Sequence, residues 1–194
     1  QRPVPADAEE RYRRLVARRA AREPLQYILG TQAFWKHEFL VTPAVLIPRP
    51  ETELLVETCL GLLKDVERPL IVDVGTGTGC IALSLAAERL DADVHAIDIS
   101  APALAVAVEN ARRLGLGQRV AFHHGDLLEP VARFAGRIDL VVSNPPYVDP
   151  VDRGRLAPEV RDHEPTLALF PPGDPLSVYR RLARTSASDL RPGG

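Results

Sequence analysis

The chain of 194 residues contains no methionine, one tryptophan, two cysteines and little aromatic surface, 5% in all. Each scarcity excludes something. Cys59 and Cys80 stand far apart, so neither a disulfide framework nor a zinc-type spacing is available, which suits a reducing compartment and leads us to expect a cytoplasmic protein. His37, His95, His123, His124 and His163 show no ligand spacing, and the adjacent pair His123–His124 points to opposite faces of a strand, which argues against a shared metal. No run is apolar enough to span a membrane, and no signal peptide is visible. Net charge is −2, so the broad positive field expected of a nucleic-acid binder is absent. The arginines of residues 1–23 are balanced in part by Asp7, Glu9, Glu10 and Glu23 and read as a solvated helix face. The chain begins at Gln1, which leads us to expect a processed or partial chain.

What is present is a regular alternation. From Leu70 onward, short apolar runs alternate with helical patterns: strands at Leu70–Val74, Asp93–Asp98, Arg119–His124 and Ile138–Ser143. That rhythm predicts an α/β fold with a parallel, doubly wound sheet. In front of it we expect a helix over 7–22, opened by an Asp7/Glu10 capping box and buried along Tyr12, Leu15, Val16 and Ala20. A β-hairpin is expected with Glu38–Val41 and Val45–Ile47 around Thr42–Ala44. A helix from Glu51 to Lys64 should pack through Leu54, Leu55, Thr58 and Leu62. The domain division expected is 1–33 as the end of a helical domain, 34–50 as a hairpin connector and 51–194 as an α/β domain. With four strands after Leu70, we also expect further strands beyond Gly194, or a partner, to cover the edge beside Ile138–Ser143.

Ligands of such sheets bind at the carboxyl ends of the strands. The first strand runs into Asp73-Val74-Gly75-Thr76-Gly77-Thr78-Gly79 and then into a helix, a glycine turn that lets a ligand approach backbone closely. Cys80 stands where a dinucleotide fingerprint needs glycine, and no lysine follows as in a P-loop. Asp98, at the end of the next strand, is placed to accept two ribose hydroxyls, because Ser100 is the better helix cap. Asp126 and Leu127 follow the third strand; Asp126 is a candidate acceptor for an exocyclic amine and Leu127 for packing on a ring. After the fourth strand comes Asn144-Pro145-Pro146-Tyr147. Its prolines fix φ and donate no N–H, leaving carbonyls free to accept. The Asn144 side-chain oxygen and the Pro145 carbonyl together suit a planar NH2 group, with Tyr147 over one face and Pro146 stiffening the loop.

The Gly-x-Gly-x-Gly spacing resembles the motif of class I S-adenosylmethionine methyltransferases. The likeness narrows when Pro24–Gly30, Phe34-Trp35, Val41-Thr42-Pro43, Leu46–Glu53, Asp73–Cys80, Asn144–Tyr147, Pro158–Arg161, Glu164-Pro165 and Ala168-Leu169 are taken together. From about Pro24 to its end the chain resembles the HemK/PrmC protein-glutamine methyltransferases. It departs at Pro171-Pro172-Gly173-Asp174-Pro175-Leu176, where that family usually has Gly-Gly-x-Asp-Gly-Leu. The resemblance implies a Rossmann-like class I fold, S-adenosyl-L-methionine as cofactor held by Asp73 to Gly79, Asp98, Asp126, Leu127 and Asn144, and no metal. It implies methyl transfer to a glutamine side-chain amide held by Asn144, Pro145, Pro146 and Tyr147. The implied partner is a class 1 peptide chain release factor with its Gly-Gly-Gln motif. A large-subunit ribosomal protein, an amino group in DNA and a non-catalytic cofactor-binding subunit remain as alternatives. Arg49 and Glu51 read either as loop organisers near the site or as an exposed salt bridge.

Overall fold

A computed structural model describes residues 5–194. Helix α1 spans Ala6–Ala20. Pro5 precedes it and no side chain caps it, so Asp7 serves the first turn through its charge, favourable at a helix N-terminus, and not through a capping box. The expected core stripe is not buried: Tyr12 is 67% and Val16 47% exposed. Ion pairs reach out from the helix's C-terminal end, from Arg19 within it and Arg22 just beyond it. Arg19 and Arg22 both reach Glu159, at 2.8 and 2.9 Å.

A short helix α2, Leu25–Leu29, ends at Gly30 in the left-handed conformation. Strands β1, Thr31–Phe34, and β2, His37–Leu40, then form an antiparallel pair, so the hairpin lies earlier than expected. The turn is Trp35-Lys36, with Trp35 at φ 55°, and Phe34 and Phe39 both fall on the core side. Val45 and Ile47 are buried as the sequence suggested, but they pack with Tyr27 and Val41 in irregular backbone, because Pro43 and Pro48 interrupt strand pairing. Tyr27 donates its hydroxyl proton to the Val45 carbonyl at 2.6 Å. One 3-10 turn, Pro50–Thr52, leads into α3, Glu53–Leu62. The buried face of α3 is Val56 and Cys59, continued by Leu63; Leu54, Leu62 and Thr58 face solvent, contrary to expectation.

The α/β region follows the expected rhythm closely. Strands β3, Leu70–Val74; β4, Asp93–Asp98; β5, Val120–His124; and β6, Leu140–Ser143, form one parallel sheet in the order β5-β4-β3-β6. Helix α4, Cys80–Glu88, follows β3, and α5, Ala101–Arg113, follows β4. Ser100 caps α5, its hydroxyl accepting from Ala103 N. Ile71 enters the core under α3 and α4, while Val72 and Val74 enter a second core with Ile97, Leu127 and Ile138. Such burial on both faces is what a central parallel strand requires. After β6 come three short helices, among them α6, Pro158–His163, and α7, Thr166–Leu169; α8, Ser177–Asp189, covers the second core with Val178 and Leu182. Beyond α8, Leu190 forms a parallel bridge to Ile138, just before β6; Ile138 N donates to the Asp189 carbonyl at 3.3 Å, Arg191 N donates to the Ile138 carbonyl at 3.0 Å, and Arg191 pairs with Asp139 at 2.5 Å.

The chain runs β3, β4, β5 outward in one direction and then returns to place β6 on the other side of β3. The switch in strand order therefore falls between β3 and β6, and the loops that leave their carboxyl ends diverge to opposite faces, opening a crevice.

Candidate active site

One cavity occupies that crevice. Its wall includes Gly75 to Thr78, Asp98, Gly125 to Leu127 and Ser143 to Pro146, one set from each strand end. The stretch Ala44–Arg49 with Thr52 forms a strap along one side, and Pro165, Leu167 and Ala168 meet it from the other. Four separate sequence motifs are thus brought to one place.

The glycine turn is shaped by its own backbone. Gly75, Gly77 and Gly79 have φ of 72, 56 and 80°, which side chains rarely tolerate. The amides of Gly75 and Thr76 both donate to the Ile97 carbonyl at 2.9 Å. A Cβ added to Gly75 or Gly77 would meet nothing within 4 Å, so these glycines leave room on the cavity side. Gly79 has a different task. A Cβ there would lie 3.0 Å from Leu83 Cδ1 and 3.2 Å from Ala107 Cβ, so its role is packing of α4 on α5.

Asp98 lines the cavity and also organises it. Its Oδ2 accepts from Gly77 N and its Oδ1 from Ser100 N, both at 2.8 Å. Burial raises its pKa, and those two backbone bonds oppose the rise. Each carboxylate oxygen keeps a lone pair for a ligand. Asp73 stands outside the cavity wall. It is fully buried beneath the loop, where Oδ2 accepts from Thr76 Oγ1 at 2.6 Å and Ala82 N at 3.2 Å, while Oδ1 has no partner among the described residues. Burial pushes its pKa up to about 7. Asp73 therefore shapes the loop from below, and the cavity wall does not include it.

Asp126 is in the wall and takes a partner from α8: Arg181 donates to its Oδ2 at 2.6 Å. Leu127 adopts φ 47° and is almost wholly buried in the second core. At the β6 end, Ser143 Oγ donates to the Val74 carbonyl at 2.6 Å, tying the two central strands together where their loops diverge. Asn144 follows, half-buried, its Nδ2 directed to Thr52 Oγ1 at 3.4 Å. No backbone N–H among the described residues donates to the Pro145 carbonyl. Tyr147 lies outside the wall, 58% exposed.

Three contributors carried no clear sequence signal. Asn110, fully buried on α5, accepts from Leu40 N and donates to Leu40 O and Thr78 O. Its position in the apolar stripe Ala103, Val106, Ala107, Ala111 was the available clue. Thr52 lies in the Leu46–Glu53 segment that carries the family resemblance, with no role of its own assigned there; Arg181 had no signal. Arg49 donates to Glu164 Oε1 at 2.6 Å with the glutamate side chain 1% exposed, so this pair is not the surface salt bridge held open above. Glu51 is exposed.

Residues 50–160 match the methyltransferase small domain family, and residues 1–30 match the PrmC N-terminal domain. The release factor glutamine methyltransferase of Cereibacter sphaeroides is 46% identical over 99% of this chain and 66% of its own length. That of Bordetella pertussis is 45% identical over 99% of this chain and 70% of its own. The chain belongs to the release factor glutamine methyltransferase family. It spans 66% and 60% of the length of the relatives from C. sphaeroides and Nitratidesulfovibrio vulgaris. Among solved structures, the hMettl16 catalytic domain superimposes with a TM-score of 0.63 at 17% identity, covering 90% of this chain and 75% of that one. A precorrin 8w decarboxylase from Methanobacterium thermoautotrophicum gives 0.51 at 25%, over 80% and 66%. These neighbours share the fold, that of class I methyltransferases. No helix among the described residues is long and apolar enough to cross a membrane.

Proposed function

We propose that this chain carries the catalytic part of a cytoplasmic methyltransferase that modifies the side-chain amide of the Gly-Gly-Gln glutamine in class 1 release factors. The single observation that carries the reading is the placement of Asn144 and Pro145 in the same cavity wall as Asp98 and the glycine turn. The names of the relatives supply the substrate.

The residues present fit S-adenosylmethionine. Asp98 offers the spare lone pairs that a ribose diol takes up. Gly75 and Gly77 clear the space that a side chain would fill. Asp126 and Leu127 stand at the next strand end, where the adenine of such a ligand would lie. When bound, the cofactor supplies a methyl group already activated on sulfonium, so the reaction asks no metal of the protein.

The chain's own task is the nucleophile. An amide nitrogen shares its lone pair with the carbonyl and attacks poorly. Asn144 Oδ1 and the Pro145 carbonyl, held by the proline-locked loop, accept one N–H each. That fixes the plane of the NH2 group and aims its lone pair into the cavity, an orientation effect of several kcal/mol. The same two acceptors stabilise positive charge as it grows on nitrogen, and the surplus proton leaves to water after transfer. Tyr147, at the rim, covers the amide plane once substrate is seated.

The test is intact-mass spectrometry after incubation with S-adenosylmethionine, with a class 1 release factor, a large-subunit ribosomal protein and duplex DNA in parallel. One added methyl on the release factor, lost when its Gly-Gly-Gln glutamine is changed, is the expected result. Methyl on the ribosomal protein alone changes the target. Methyl on DNA, or none anywhere, overturns the reading.

A further inference from the structure

Asn144 is useful only in one of its two amide orientations. With Oδ1 towards the cavity it accepts from a substrate NH2; flipped by 180° it presents its own NH2 to another donor, and the pair repels. The prolines at 145 and 146 fix the backbone and say nothing about that flip. Something else must choose.

The geometry points to Thr52 as the positioning residue that sets the Asn144 amide. Thr52 lies in the cavity wall, and its Oγ1 is the partner of Asn144 Nδ2 across 92 residues of sequence. The NH2 end donates to Thr52 Oγ1, which leaves Oδ1 to accept from substrate; the hydroxyl's own proton then goes to water, because donated to Oδ1 it would favour the flipped amide. The 3.4 Å separation is at the long end of the hydrogen-bond range, as contacts of this kind often are before substrate closes the site.

Thr52 is itself held in place. It ends the 3-10 turn Pro50–Thr52, and its amide donates to the Arg49 carbonyl at 3.0 Å. Arg49 in turn is fastened to Glu164, whose carboxylate is 1% exposed. Glu164 also belongs to the Glu164–Ala168 segment that meets the strap from the other side of the cavity. Its Oε2 has no hydrogen-bond partner among the described residues, although the Ile47 amide lies close enough to favour its charged form. Strap, clamp and threonine thus form one chain of contacts from a buried ion pair to the amide that meets substrate.

This inference rests on the proposed methyl transfer to an amide, and its experiment separates the two. Thr52→Val keeps shape and removes the hydroxyl; Thr52→Ser keeps the hydroxyl. Turnover on a Gly-Gly-Gln peptide or release factor is expected to fall about 10²-fold in Thr52→Val, in kcat and not in cofactor affinity. Thr52→Ser should recover most of it. The side-chain NH2 resonances of Asn144, read by NMR in the presence of S-adenosylhomocysteine, should shift in the valine variant and hold in the serine one. Wild-type turnover in Thr52→Val, equal loss in both variants, or unmoved Asn144 resonances would each overturn the assignment. Should the wild-type protein itself transfer no methyl, it is the proposed function that fails, and the resonances still decide whether Thr52 orients Asn144.

Discussion

A fully buried carboxylate is an unusual thing to place under a ligand loop, and Asp73 shows what it does there. Its folded-state pKa, raised to about 7 by burial, lies above the unfolded value near 4. The folded state thus binds this proton more tightly. The contribution to stability is complete below about pH 4 and is lost as pH rises through about 7. Asp73→Asn, which keeps an oxygen for Thr76 and Ala82, should flatten the slope of unfolding free energy across that window, measured by urea denaturation at a series of pH values. An unchanged slope would mean that Asp73 is not the titrating group. Gly79 makes a second prediction at this scale. Gly79→Ala places a side chain at φ 80° against Leu83 and Ala107, so a loss of about 1–3 kcal/mol is expected from denaturant melts. The same change at Gly77, where space is open, should show less in the melt than in cofactor affinity. Asn144→Ala should lose about 10²-fold in turnover or more while cofactor affinity, by titration calorimetry, stays near wild type.

Between elements, Asn110 is the joint. One side chain of helix α5 bonds the end of β2 and the glycine turn. Removing it takes a partner from the Leu40 amide and carbonyl, which are part-buried, and from the buried Thr78 carbonyl. Asn110→Ala is therefore expected to lower stability by about 2–4 kcal/mol and to weaken cofactor binding through Thr78, by urea melts and calorimetry. Loss of stability with full affinity would disconnect the joint from the loop. The hairpin it anchors is also where sequence reading slipped. Glu38–Val41 and Val45–Ile47 look like paired strands because both are apolar, yet two apolar runs are compatible with several registers. What decides is that Phe34 and Phe39 can enter the core together only if the chain turns at Trp35-Lys36, with Trp35 N held by Glu53 Oε1 and its indole N–H by Glu88 Oε1. Those carboxylates come from α3 and α4, and no local pattern announces them. The error on α3 has the same origin: Leu54 and Leu62 carry the right chemistry, but burial goes to Val56 and Cys59 because the hairpin and α4 lie on that side.

In the molecule as a whole, the sheet was legible, while the strap stood out as a segment without showing its partners. Parallel strands buried on both faces read as apolar runs, and glycine, aspartate and Asn-Pro-Pro at their ends stand out against them. Arg49, Thr52, Glu164 and Arg181 act across more than 50 residues of sequence, and a lone charged or hydroxyl residue in a loop carries no mark of its distant partner. The attachment of α1 is of this long-range kind too. It rests on Glu159 and two arginines whose side chains are 44% and 55% exposed, and salt weakens such contacts. Glu159→Gln should make the α1–α2 junction a faster site of limited proteolysis, most clearly at low salt; unchanged cleavage would show that α1 is held by something else.

The strand order also sets a schedule. Val72 of β3 lies beside Val141 of β6, and a ribosome adding about 5–20 residues per second needs roughly 3–14 s to deliver one after the other. For the last 43 residues of that interval, roughly 2–9 s, the nascent chain has its glycine turn and Asp98 in hand while β3 waits with one side unpaired. The half of the site that would hold a nucleoside can thus form before the half that would hold an amide exists, and a ligand present in the cell during synthesis would meet the first half alone.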